Sequence, residues 1–375
     1  MRALPPALTI GLAIAPIHAA AQTPAREIAR LDATRHDLSQ IDGFVVADDG
    51  TLYLPQSQDG TVRIFSTSFA ELGRFGRTGA GPGEYRAFSR AGLSGGRFWS
   101  FDQRLQRLTV VGADRKVAQT VPTRPALTVA HAGDGEPLAI ELVTVVGLYS
   151  DSTWLVTGTI GRSSALPDWF GRGASVSDRP VLRVHPDGRL HTVVARIPTR
   201  VCSVTDGSSS LGLAYCAKEL WGVSPDASHV AYVRQGSTDE LVVVRSDGSV
   251  LATHAVVGSR RPMPPRFRQQ RLDELAKQLE SLGPARVAAW RRLPHSTMFP
   301  PAARVLVGID GTVALEHSDE HPDNRWTVYP RSGTPRTIVV PGNVQLVQIS
   351  ASEAYAVATD RDELQHVVRL SLSPR

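Results

Sequence analysis

Residues 49–54, Asp49-Gly50-Thr51-Leu52-Tyr53-Leu54, place a tight turn directly before an apolar strand, and the recurrence of this pairing decides the fold. Asp-Gly tolerates the positive φ angles of hairpin turns, and the residues after it alternate as in a half-buried strand. Similar turn–strand units begin near residues 50, 96, 152, 228, 311 and 352, at intervals of 46, 56, 76, 83 and 41 residues. The two longest intervals contain extra segments, so the underlying period is about 40–50 residues.

Six units of this period predict an all-β chain that forms a six-bladed β-propeller. One four-stranded blade cannot cover both of its faces, whereas six blades in a ring cover one another and protect their edges. A strand near residues 27–34 is expected to complete the last blade. Of the 375 residues, 42% are apolar, which is enough for a large core. We therefore expect one propeller over residues 22–375.

Two segments carry a family resemblance. Residues 73–85, Gly-Arg-Phe-Gly-Arg-Thr-Gly-Ala-Gly-Pro-Gly-Glu-Tyr, resemble the linker of NHL-type six-bladed propellers. Pro225-Asp226, followed by a strand through Tyr232, is similar to the Ser-Pro-Asp-Gly signature of TolB-like blades, with Ala227 in place of the glycine. The resemblance implies a secreted bacterial propeller. It implies no activity, because members of these families do many different things.

Residues 1–21 have the features of a secretory signal: Arg2, a short apolar run, and small residues at Ala19 and Ala21. We expect cleavage after Ala21 and a periplasmic or secreted product without an integral membrane segment. In an oxidising compartment, Cys202 and Cys216, the two cysteines of the chain, are expected to form a disulfide. A metal pair without further ligands and two buried free thiols are the alternatives.

Residues 259–299 are expected to form a helical insertion between blades 4 and 5. Apolar residues recur there at helical spacing, at Leu272, Leu275, Ala276, Leu279 and Leu282. Residues 260–292 hold nine basic residues against three acidic ones. One interpretation is a lid packed on one face of the propeller, with its arginines solvated or paired. The other is an anion-attracting patch at the channel mouth, with ligand-binding residues Arg266, Arg268, Arg271 and Arg291.

Three further motifs do not fit the chemistry that they superficially suggest. Residues 76–83 are rich in glycine but lack the Lys-Ser/Thr of a phosphate loop. Residues 92–96 match G-x-S-x-G, but a strand follows where a nucleophile elbow requires a helix. His317 and His321 would share one face of a helix and could chelate a metal, but Pro322 and the flanking strands predict a solvated loop.

The sequence therefore predicts an exported, non-enzymatic binding or scaffold propeller that recognises a peptide, a protein or an anionic ligand at the channel mouth. No cofactor is expected. The alternative is a propeller hydrolase or lyase of the lactonase-like or amidating-lyase-like kind, which would use a divalent metal in the channel. Nucleic acid is not expected as a partner, because the chain lacks basic residues interleaved with aromatic ones.

Overall fold

The computed structural model describes residues 22–112, 114–123, 129–130, 137–161, 166–171, 173–206, 209–217, 219–258 and 260–373. The expected signal peptide, with its cleavage site after Ala21, lies outside the described residues. The strands form six blade sheets in chain order and one separate hairpin. In the part of the chain that is described, no helix is both long and apolar enough to cross a bilayer.

The first three blades occupy residues 45–197. The described residues begin with β1 (Thr23–Pro24), β2 (Arg26–Leu31) and the one-turn helix α1 (Ala33–His36). Blade 1 contains β3 to β6: Val45–Val46, Leu52–Gln56, Thr61–Phe65 and Glu71–Gly76. Blade 2 contains β7 to β10: Phe88–Ser94, Arg97–Asp102, Arg107–Val111 and Val117–Pro122. Blade 3 contains β11 to β15: Val129–Ala130, Leu138–Leu148, Trp154–Ile160, Arg179–Val184 and Leu190–Ile197. A 3-10 turn at Asp168–Phe170 lies between β13 and β14.

The last three blades alternate with the additional segments. A hairpin of β16 (Ser203–Asp206) and β17 (Ser209–Gly212) precedes blade 4. Blade 4 contains β18 to β21: Trp221–Val223, His229–Arg234, Glu240–Arg245 and Val250–Ala255. The insertion contains α2 (Pro265–Gln278), a 3-10 turn (Glu280–Leu282) and α3 (Pro284–Arg291). Blade 5 contains β22 to β25: Val305–Val307, Val313–Glu316, Asn324–Tyr329 and Arg336–Val340. Blade 6 contains β26 to β28: Val344–Ile349, Glu353–Thr359 and Gln365–Ser371.

The six repeated units of the sequence occupy equivalent places in the six blades. Each turn leads into the second strand of its blade, which is β4, β8, β13, β19, β23 or β27. The all-β, six-bladed propeller with a helical insertion between blades 4 and 5 is therefore confirmed. Residues 73–85 lead from the last strand of blade 1 toward blade 2, and Tyr85 is buried with its hydroxyl accepting a hydrogen bond from Ser100 at 3.0 Å.

Residues from both ends of the described chain close the ring. Strand β2 pairs antiparallel with β28, with Leu31 opposite Val367, so β2 completes blade 6 as predicted. Strand β1 pairs parallel with β25 at the outer edge of blade 5. The expected strand over residues 27–34 is shorter, because Asp32 caps α1 by accepting the Arg35 N–H at 3.0 Å. Leu31 is fully buried in a cluster with residues of blades 1 and 6, among them Leu54. This contact joins the last blade to the first.

The insertion packs on the hairpin that precedes blade 4. Leu272 and Ala276 of α2 and Trp290 of α3 form a buried cluster with Leu211 and Ala214. The Trp290 indole N–H donates to the Gly212 carbonyl at 2.8 Å. The expected disulfide between Cys202 and Cys216 is present at the base of this hairpin. A loop of this length stabilises the folded chain by about 3 kcal/mol through the unfolded state.

His295 makes the docking of the insertion sensitive to pH. Its Nδ1 accepts the Ala214 N–H at 3.1 Å, and its Nε2 donates to the Trp290 carbonyl at 2.9 Å. Burial, and secondarily the Arg268 charge, lower the pKa of His295 below the ordinary 6.5. The unfolded chain therefore takes up the proton first, and the stability that neutral His295 gives is lost as the pH falls below about 6.5.

We expect acidification from neutral pH to about pH 5 to weaken the docking of the insertion. Protonated Nδ1 can no longer accept the Ala214 N–H. His295→Gln should flatten this pH dependence, because the amide oxygen can accept the same hydrogen bond without titrating. Trp290 fluorescence and proteolysis of the insertion, followed against pH, measure the effect. An equal pH dependence in both proteins would exclude His295 as the cause.

Candidate functional site in the central channel

One strand of each blade lines the axis of the ring, and in every blade except blade 3 it is the first strand of that blade's range given above. These inner strands are β3, β7, β12, β18, β22 and β26. Because successive strands in a blade are antiparallel, the linkers between blades and the loops after the second strands share the end at which the inner strands begin. We call this end the open face, and the end carrying the turns after the inner strands the closed face.

A cavity of about 430 Å³ occupies the channel and is lined by every blade. Its wall is largely backbone and apolar side chains, including Phe44 of blade 1, Phe88 of blade 2 and Trp221 of blade 4. Blades 3, 5 and 6 contribute Val146, Leu306 and Val347. Ser57, in the loop after β4, reaches the cavity from the open face. The cavity therefore offers a ligand surface from all six blades.

Contacts between blades narrow the channel toward the closed face. The Leu93 N–H of blade 2 donates to the Pro225 carbonyl of blade 4 at 2.7 Å, although blade 3 lies between these blades in the ring. A Cβ built on Gly92 would lie 2.5 Å from the same oxygen, so only glycine permits this approach. The Gln348 side chain of blade 6 bonds to both the N–H and the carbonyl of Val46 in blade 1. Access from the open face is therefore favoured.

Two charged side chains occur among the described residues that line the cavity, Arg90 and Asp42. Asp42 is exposed near the start of the blade 1 inner strand and accepts the Gln40 amide at 3.0 Å. Arg90 lies in β7, three residues before Leu93, or about 10 Å along the strand from the narrowing. Desolvation by the protein around the channel lowers the pKa of the Arg90 guanidinium below that of a free arginine. Arg90 nevertheless stays cationic, because guanidinium remains protonated in proteins.

The four arginines predicted to bind the ligand lie on the insertion, and none of them lines the cavity. Arg268 donates to the backbone carbonyls of Ser296 and His295 at 3.0 and 3.1 Å. Arg271 pairs with Glu274, and Arg291 pairs with Asp273 at 2.5 Å. Arg266 is exposed and has no ion-pair partner in the described ranges. The structure thus places three of the four in intramolecular contacts.

The insertion nevertheless lies on the open face. Arg260 pairs with Asp239 in the loop after the second strand of blade 4. Arg261 lies 3.4 Å from Asp319 in the corresponding loop of blade 5. Both loops belong to the face from which the cavity is entered. The insertion, with its excess of basic residues, and the mouth of the channel therefore lie on the same side of the ring.

The other candidate motifs occupy structural positions. His317 contacts the Thr327 hydroxyl at 2.7 Å, and His321 is exposed in the loop between β23 and β24. Residues 92–96 comprise the end of β7 and the two-residue turn into β8. Among the described side chains, no group of three or more His, Cys, Asp or Glu is arranged to hold a metal ion.

Sequence reasoning missed Arg90. The available signal was its strand, Phe88-Ser89-Arg90-Ala91-Gly92-Leu93, which precedes the second-strand unit of blade 2 and is therefore an inner strand. Arg90 is the one cationic residue among the described residues that line the cavity. A positive charge in an inner strand was therefore the sequence signal for a site on the axis of the ring.

Comparison with known proteins shows similarity at the level of structure. Neither a family model nor a curated protein matches the sequence. A Bacteroides fragilis protein described as exported aligns over 94% of this chain and 95% of its own, with 11% identity and a TM-score of 0.46. A catalytically inactive virginiamycin B lyase from Staphylococcus aureus, solved with quinupristin, aligns over 88% and 80%, with 8% identity and a TM-score of 0.35. A luciferin-regenerating enzyme aligns over 92% and 94%, with 10% identity and a TM-score of 0.38.

Proposed function

We propose that this chain is an exported binding propeller that captures a peptide, a protein segment or an anionic small ligand at the open mouth of its channel, without transforming it. The observation that carries the proposal is the cavity of about 430 Å³, which all six inner strands line and which narrows toward the closed face. Concave, mostly apolar sites with a few polar groups are the usual form of ligand pockets.

Export is part of the proposal. The disulfide between Cys202 and Cys216 supports it, because disulfides persist in oxidising compartments. We also propose kinship with NHL-type and TolB-like bacterial propellers, on the linker at residues 73–85 and the turn at Pro225-Asp226. In this turn Ala227 adopts a positive φ of 59°, the conformation for which the family signature has glycine.

The insertion arginines retain a role in this proposal. Arg266, Arg268, Arg271 and Arg291 would raise the local concentration of an anion at the open face, an effect that acts on the association rate more than on affinity. Arg266 provides the cleanest test of the four, because it is exposed and holds no other part of the insertion in place. Arg268 is unsuitable, since its contacts with Ser296 and His295 support the fold.

The experiment blocks the mouth of the channel. The probe is anilinonaphthalene sulfonate, an apolar monoanion whose fluorescence rises on binding. Ser57→Trp places an indole at the open side of the cavity and should abolish one-to-one binding of the dye. Ser68→Trp is the matched control, because Ser68 is exposed in the same blade at the closed face. Arg266→Glu should slow association at low salt and leave the dissociation rate unchanged.

Three outcomes would contradict the proposal or part of it. Equal dye binding by wild type and Ser57→Trp would place the site outside the channel. An unchanged association rate for Arg266→Glu would remove Arg266 from ligand capture. A stoichiometric divalent ion in protein purified without chelator would favour the metal-dependent hydrolase or lyase instead.

A further inference from the structure

Arg90 holds an unusual position for a charged residue. Strand β7 is the edge strand of blade 2, with β8 on one side and the channel on the other. Arg90 is exposed to the channel, and its neighbours Phe88, Ser89 and Ala91 line the same cavity. Its guanidinium therefore meets solvent inside the ring rather than on the outer surface.

The guanidinium of Arg90 has no ion-pair or hydrogen-bond partner among the residues that the structure describes. Paired arginines occur outside the cavity: Arg179 of β14 contacts Glu219 at 2.5 Å, and Arg304, just before β22, contacts Glu316 at 2.6 Å. A nearby carboxylate would raise the pKa of Arg90, yet burial is the one cause that shifts it, and the shift is downward. Asp42, the other charge of the cavity wall, accepts the Gln40 amide instead and forms no ion pair with Arg90 in the described part of the chain.

The other residues of the cavity wall limit which anionic ligand can pair with Arg90. A guanidinium binds one carboxylate through two parallel N–H···O contacts. A dianion would find a single cation in the described wall and the repulsive carboxylate of Asp42 near the mouth. Phe44, Phe88, Trp221 and Leu306 present apolar surface to the rest of the ligand.

We propose that Arg90 makes the channel a receptor for one carboxylate carried on an apolar body, such as an arylalkanoate or the C-terminus of a peptide that ends in an apolar residue. This inference rests on the proposed function, because it requires the channel to be the binding site. It adds the chemical class of the ligand and the residue that selects it. Arg90 would be a binding residue with no role in holding the fold, since it has no described partner to lose.

The test measures binding of phenylpropionate and its neutral analogue phenylpropionamide by calorimetry, with the purified protein. Wild type should prefer the carboxylate. Arg90→Gln should weaken carboxylate binding about 10- to 100-fold, the range expected when a hydrogen-bonded charge pair is lost. It should leave amide binding unchanged. Arg97→Gln is the control, because Arg97 is exposed at the start of the neighbouring strand β8 and lies outside the cavity. Arg90→Lys should fall between wild type and Arg90→Gln, since lysine keeps the charge without the planar fork.

The outcomes separate this inference from the proposed function. Equal binding of acid and amide, with Ser57→Trp blocking both, would overturn the role of Arg90 and leave the channel as the site. Carboxylate binding that survives Ser57→Trp would overturn both. Absence of phenylpropionate binding at millimolar concentration would overturn the inference, while blocked dye binding would still support the channel.

A second pair of probes distinguishes the two sources of the carboxylate. A tripeptide ending in phenylalanine with a free carboxylate is compared with the same peptide amidated at its C-terminus. Tighter binding of the free peptide than of phenylpropionate would identify a peptide ligand, because the edges of the inner strands can bond to an extended backbone. Weaker binding of the peptide would identify a small carboxylate.

Discussion

Leu31→Asp should unfold the propeller as a whole. Leu31 is fully buried where β2 completes blade 6 and meets blade 1. The substitution removes a core leucine, which costs about 2–5 kcal/mol, and places a carboxylate without a partner in an apolar cluster, which adds several more. The sum approaches the whole stability of a typical domain, about 5–15 kcal/mol. We expect little folded protein at room temperature.

Ile28→Asp is the control for this prediction. Ile28 lies on the same strand but is 37% exposed, so the same charge there should change the free energy of unfolding by less than about 1 kcal/mol. Urea unfolding followed by circular dichroism measures both variants. If Leu31→Asp released β2 alone and left the other five blades with wild-type stability, closure of the ring would not be what holds the fold together.

Trp290→Ala should detach the insertion and leave the ring intact. The substitution removes a buried indole from the cluster with Leu272 and Leu211, together with its hydrogen bond to Gly212. Loss of a buried tryptophan costs about 3–5 kcal/mol. Within the described ranges, neither helix makes an extensive contact with a strand of a blade. We therefore expect this loss to appear as local opening of the insertion.

Limited proteolysis and urea unfolding together test the local character of the change. The variant should be cleaved within residues 260–299 under conditions in which wild type survives, with the unfolding midpoint of the blades little changed. Arg292→Ala is the control, because Arg292 is exposed two residues further along the chain. Resistance to cleavage equal to wild type would contradict the packing of the insertion on the hairpin.

The fold could be predicted from the sequence because its determinants are local and repeated. Asp-Gly turns and alternating strands, such as Asp49 to Leu54, specify a blade without information from distant residues. The end of β2 was less predictable, since it depends on the capping of α1 by Asp32. Capping by Asp32 starts a helix at Ala33, where the strand pattern predicted that the strand continues.

The candidate site was harder to predict because it depends on how six distant strands face one axis. The insertion drew attention through its composition, yet Arg271 and Arg291 find acidic partners on the same insertion. Composition gives the number of charged residues but not which of them form ion pairs. Arg90 is a single charge within an ordinary strand, and its lack of an ion-pair partner among the described residues depends on how all six inner strands surround the channel.

The most direct test of ligand binding by Arg90 is a crystal structure of the protein grown with phenylpropionate. We expect one phenylpropionate in the channel, with its carboxylate on the Arg90 guanidinium and its ring among Phe88, Trp221 and Leu306. A carboxylate bound to Arg266 or another arginine of the insertion, with the channel empty of ligand, would contradict this expectation.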